Sequence, residues 1–127
     1  MLRYLVSAML LVVAVIHLLP LAGVLGAPRL TALYGIQLDD PNLVILMRHR
    51  AVLFGLLGVF LAFAAMRPPP QPMAFVAGGA SVLSFLYLAW SVGGHNAQIG
   101  RVFTADIVAG ACLIVGVLAY AFARREG

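Results

Sequence analysis

The chain has 127 residues, of which 64% are hydrophobic and 9% charged, with a formal net charge of +4. At a mean hydropathy of +1.08 it cannot be a soluble globular domain, because a large fraction of so small a body remains surface and would expose its apolar residues to water. The basic residues are all arginine and are scattered along the chain, which excludes the clustered basic face of a nucleic-acid-binding protein.

Four apolar runs set the architecture: Tyr4–Leu25, Leu43–Met66, Met73–Val92 and Val102–Phe122. A hydrocarbon core about 30 Å thick needs roughly 20 helical residues at ~1.5 Å each, and every run meets that length. The runs are continuous rather than alternating, and open sheet edges do not survive in lipid. The expected fold is a single all-α membrane domain over residues 1–127: a four-transmembrane-helix bundle, up-down-up-down, with both termini on the same side and the lipid bilayer as its partner.

The first run follows Arg3 and ends near Gly26-Ala27-Pro28. At about 22 residues it exceeds the roughly 7–15 of a secretory h-region, and it carries His17 and Pro20, so it reads as a retained helix. Pro20 frees a backbone carbonyl about one turn earlier, which a buried His17 could satisfy. Arg29–Tyr34 reads as one or two interfacial turns closed by Gly35. Asp39-Asp40-Pro41 reads as a helix start, with an aspartate cap and proline at the first position, in preference to a metal site.

In the second helix Arg48, Ala51, Gly55, Gly58 and Ala62 fall on one face at ~100° per residue. Small residues line helix contacts in membranes, so Arg48 is expected at the top of the packing face. Arg50 shares a face with Phe54, Leu57 and Leu61 that reads as lipid-exposed, and it is expected to snorkel. His49 lies between the two faces. Arg67-Pro68-Pro69-Pro70-Gln71-Pro72 reads as a stiff, extended connector making a tight inter-helix turn.

The third helix places Ser81, Ser84, Tyr87 and Ser91 along roughly one stripe, with Trp90 as interfacial belt. Membrane serines usually bond their own backbone or pack closely. Tyr87 is expected at the level of Arg48 and Asp106. Gly93 to Gly100 reads as a flexible polar loop. Asp106 lies about one turn inside the fourth helix, where a lone carboxylate is costly. Pairing with Arg48 is therefore expected, with Arg101 as the rival partner nearer water. Cys112 is alone, so no internal disulfide is possible, and it reads as a small buried hydrophobe.

Arg3, Arg67, Arg124 and Arg125 flank one side and Arg29 and Arg101 the other, which favours cytoplasmic termini. The candidate site is then Arg48 with Asp106, flanked by His17 and Tyr87, in the outer half of the bundle. Two functional readings follow. In one, the cluster binds a hydrophobic, lipid- or quinone-like molecule or a membrane partner. In the other, a membrane enzyme uses His17 or His49 as proton shuttle, Arg48 to hold developing negative charge and Asp106 to orient. A transporter subunit is a third, weaker reading, and a homodimer suits a small bundle with glycine faces. Haem or a metal held by His17 and His49 has little support: the two histidines differ by roughly 4 Å in depth and no HExxH spacing occurs. No cofactor is expected.

The order of His17 and Pro20, then Leu33-Tyr34-Gly35-Ile36, then Arg48-His49-Arg50 with Gly55, resembles small uncharacterised four-helix bacterial membrane proteins of DoxX-like architecture. The resemblance spans the whole chain and implies a compact bundle in the bacterial inner membrane, with no activity to carry over. Chains of this look have also been labelled phosphopantetheine adenylyltransferase. That chemistry uses an HxGH motif on a soluble α/β fold, which His95 and its neighbouring glycines do not reproduce.

Overall fold

The computed structural model describes residues 1–37 and 39–126, the side chains of Ala22, Val24, Ala27 and Glu126 excepted. The elements are α1 (Leu2–Leu18), a 3-10 segment (Leu19–Leu25), α2 (Ala27–Tyr34), α3 (Pro41–Met66), α4 (Gln71–Val92) and α5 (Ala97–Glu126), and no strand occurs among the described residues. Four helices are long and apolar enough to cross a membrane, which makes this a multi-pass membrane protein.

Residues at matching levels fix the topology. At one end Ser7 of α1 bonds the Ala65 carbonyl of α3 at 2.6 Å, and Gln71 of α4 bonds Ala64 at 3.0 Å. Further along, His17 lies beside Phe54 and bonds Ser81. Ascending α1 and α4 thus means descending α3, and α5 descends too, since a Cβ on its Gly116 would touch Met9 and Phe75. The bundle runs up-down-up-down with both termini at the lower end. Around it the neighbours run α1, α3, α4, α5 and back to α1, so α1 and α4 face each other across the diagonal.

The core is the inward stripe of α1, Val6, Leu10, Val13, Ala14 and His17, at the 3–4-residue spacing of one helix face. It meets Leu61, Ala64 and Ala65 of α3, Val82 of α4, and Ala109 and Leu113 of α5. Small residues let α3 close on α1: a Cβ on Gly58 would lie 2.7 Å from Leu18 Cγ and 3.1 Å from the Ala14 carbonyl oxygen. Cys112 is half-buried against this core. Leucines, valines and phenylalanines cover the outside, Leu56, Phe63, Val76, Leu83 and Ile114 among them. That surface suits lipid rather than water.

The segment ends differ from the sequence expectation in three places. α1 stops at Leu18, and the residues to Leu25 wind as a 3-10 segment; Pro20 lacks the N–H that would continue the α-helix. α5 starts at Ala97, not Val102, because Asn96 caps it: its Oδ1 accepts the Ile99 N–H at 2.8 Å, so the loop is only Gly93–Asn96. The proline connector is also shorter than its sequence suggests. A turn closes from the Pro68 carbonyl to the Gln71 N–H at 3.1 Å, and Pro72 is already helical at the start of α4.

The other capping expectations hold. Asp40 accepts the Asn42 N–H at 2.9 Å with Pro41 opening α3. α2 ends on Gly35 at φ 65°, ψ 31°, whose N–H bonds the Thr31 carbonyl at 2.7 Å, a left-handed cap that glycine adopts without steric cost. α2 is more than interfacial, however. Its Leu30 and Tyr34 are buried in a second small cluster with Val44, Met47, Ile99 and Val102, so α2 closes the upper end of the bundle.

Candidate functional site

Beneath α2 lies a cavity of about 250 Å³. Its apolar walls come from Ile16 and Leu19 below the proline, Leu33 of α2, Phe54 of α3, Phe85 of α4 and Val102 of α5. Its polar groups are His17, Tyr34, Arg50, Gln98, Arg101 and Asp106. Six different helical elements therefore converge on one amphipathic chamber in the upper part of the membrane domain.

His17 is 2% exposed. Its Nδ1 lies 2.9 Å from the Val13 carbonyl oxygen, which can only accept, so the proton sits on Nδ1. A neutral ring then has one lone pair left, and Nε2 accepts from the Ser81 hydroxyl at 2.9 Å. The carbonyl it meets is the one a turn before His17 itself, not the Ile16 carbonyl freed by Pro20. Across the bundle's diagonal, this bond ties α1 to α4.

Arg50 is the cation of the site. It donates to the Tyr34 hydroxyl at 2.5 Å and lies over two aromatic faces, 4.4 Å from the Phe54 centroid and 5.1 Å from that of Tyr34. Such stacking suits a planar guanidinium. Asp106, only 7% exposed, lines the same cavity. Asn96 braces the same corner, donating to the Tyr34 carbonyl at 2.7 Å and that of Gly35 at 3.2 Å.

Of the four residues expected together, the structure brings together His17 and Asp106. Arg48 is exposed and does not line the cavity. The reason is angular. The buried residues Ala51, Gly55, Gly58, Leu61, Ala64 and Ala65 centre on a direction roughly 95° from Arg48 and 65° from Arg50 at ~100° per residue. The small-residue stripe was rightly the packing face, but both arginines sit at its edges, and the Arg50 edge is the one turned toward α4 and α5. Leu61 on that edge is fully buried, so the face is not lipid-exposed as expected.

Tyr87 is 64% exposed, on the side of α4 opposite its buried residues Ala74, Gly78 and Val82; Phe85 takes the expected place. Ser84 and Ser91 bond their own helix at the Ser81 and Leu88 carbonyls. His49 is exposed on the outer side of α3, so it does not share the cavity with His17, and the two do not form an imidazole pair. Among the described residues no group of three or more His, Cys, Asp or Glu side chains is placed to hold a metal ion. Trp90 is exposed, as a belt residue is.

The sequence reading missed Tyr34, Gln98 and Phe85 as cavity residues, and Ser81 as the partner of His17. The spacing of Arg50 and Phe54, four apart on one helical face, was a readable sign of a guanidinium over a ring. Nothing local pointed to Gln98, because its place depends on where Asn96 starts α5. No protein-family model, curated protein or solved structure matches this chain.

Proposed function

We propose that this protein binds a small amphipathic molecule of the membrane, lipid-like or quinone-like, in the chamber beneath α2. The observation that carries the reading is the chamber's composition: apolar walls on four transmembrane helices around a few convergent polar groups, the usual make-up of a small-molecule site. A purely structural ion pair needs no such space beside it. The acid–base alternative is weaker, because both ring nitrogens of His17 are already in hydrogen bonds and His49 lies outside.

The arginines support a placement in the membrane. Arg3, Arg67, Arg124 and Arg125 belong to the lower end and Arg29 and Arg101 to the upper, which favours cytoplasmic termini and a chamber on the outer side of an inner membrane. The DoxX-like resemblance agrees with that location and brings no chemistry of its own.

The test is native mass spectrometry of the purified protein, alone and with its co-purifying lipids, beside Ala105→Phe, which fills the chamber from α5. The expected result is a bound species on the wild type that is lost from a folded Ala105→Phe protein. A wild-type protein that carries nothing and takes up no added amphiphile overturns the proposal.

A further inference from the structure

We infer that the occupant of this chamber carries an anionic head, a carboxylate or a phosphate monoester, seated at Arg101 with its apolar tail running inward. This rests on the reading of the chamber as an amphiphile site and adds the charge and orientation of the ligand.

Among the described lining residues the titratable side chains are Arg50, Arg101, Asp106, His17 and Tyr34. His17 is satisfied as a neutral ring by a carbonyl and a hydroxyl. The Tyr34 hydroxyl accepts from Arg50. Arg50 is engaged by that hydroxyl and by two ring faces. Among the described lining residues Asp106 is the only carboxylate against two guanidiniums, so the lining carries an excess positive charge, which falls to Arg101 at the exposed mouth. A guanidinium with excess charge at an amphipathic pocket recognises a carboxylate or phosphate oxygen through charge-assisted hydrogen bonds.

Depth gives the direction. Arg101 and Gln98 lie in the first turns of α5 at the upper end, where the positive end of the helix dipole adds to the same field. Asp106 is five residues further in, about 7–8 Å along the helix, at the level of His17 and Phe54. Its negative charge repels an anion from the floor of the chamber. Ile16, Phe54 and Phe85 leave that inner part apolar enough for a hydrocarbon tail. Head outward and tail inward is the one orientation that satisfies both ends.

The test compares decanoate, decanol and decylubiquinone on the intact protein in a non-ionic detergent at pH 8, read by native mass spectrometry titration, with acetate as a tail-less competitor. Decanoate is expected to bind about tenfold or more tighter than decanol, the worth of one charge-assisted hydrogen bond, and acetate not to displace it. Arg101→Gln is expected to bring decanoate down to the level of decanol and leave decanol within about twofold, which also shows that the variant folds. Decanol or decylubiquinone binding as tightly as decanoate, an anion preference that survives Arg101→Gln, or displacement by acetate overturns the inference while the amphiphile site stands. Failure of all three amphiphiles to bind overturns the amphiphile reading itself.

Discussion

Replacing Ser81 with alanine removes the hydroxyl that donates to His17 Nε2 and leaves a buried lone pair beside the Phe54 ring, whose centroid is 5.6 Å away. The ring cannot escape by switching tautomer, because Nδ1 must keep its proton for the Val13 carbonyl. Interhelical hydrogen bonds in membranes contribute about 0.6–1.7 kcal/mol, and a buried polar atom left alone costs about 1–3 kcal/mol. The low end of the second range applies, since it overlaps the measured worth of interhelical bonds in membranes. Ser81→Ala is therefore expected to cost about 1–1.5 kcal/mol. In His17→Leu the serine can turn to its own helix carbonyl, so the single cost is mostly lost packing. The double variant is expected to recover about 1 kcal/mol relative to the sum of the singles. Equilibrium unfolding in mixed micelles, followed by the fluorescence of the single tryptophan, Trp90, supplies all four corners of the cycle. A coupling within about 0.3 kcal/mol of zero refutes the hydrogen bond as a tie between α1 and α4.

Three further outcomes are expected. Arg50→Leu removes the guanidinium that donates to the Tyr34 hydroxyl and shares the cavity with Asp106, and is expected to destabilise by about 1–3 kcal/mol. Asp106→Asn in the same chain, which removes the carboxylate facing the same cavity, is expected to restore part of the loss in the same unfolding assay. Gly58→Ala drives a Cβ to 3.1 Å from the Ala14 carbonyl oxygen, which as backbone cannot yield, whereas a Cβ on Gly79 meets nothing within 4 Å. The first is expected to cost about 1–3 kcal/mol and the second to stay within about 0.5 kcal/mol, measured by thermal unfolding in detergent. Asn96→Ala removes both the cap of α5 and the two bonds to the Tyr34 and Gly35 carbonyls; a loss of about 1–2 kcal/mol should come with faster amide exchange confined to α2 and the first turn of α5.

The helices were legible because their signal is composition over a long window, which tertiary contacts cannot override in lipid. Asp40 and Gly35 were legible because capping is local chemistry. His17 and Asp106 stood out for a different reason: an ionisable group at depth needs a partner wherever the neighbouring helices lie. What the sequence could not supply was rotation. Arg48 and Arg50 flank the packing face of α3 on opposite sides, and which side meets the cavity is set by the placement of α4 and α5. Tyr87 went astray the same way, since the serine stripe of α4 has Ser81 at the inner edge and Ser84 and Ser91 outside it. The helical caps and turns that bring Tyr34, Gln98 and Arg101 over the chamber are each readable alone, but their convergence is a property of the assembled bundle.

The central claim is that the chamber beneath α2 is where this protein holds an amphiphile, and photo-crosslinking tests it most directly. A decanoate analogue with a diazirine at its tail end, bound to the intact protein and mapped by peptide mass spectrometry, is expected to label Ile16, Phe54 and Phe85, and to lose that labelling in Ala105→Phe. Labelling spread over the lipid-facing side chains of α4, such as Val76 and Leu83, and unchanged by Ala105→Phe, would contradict the account.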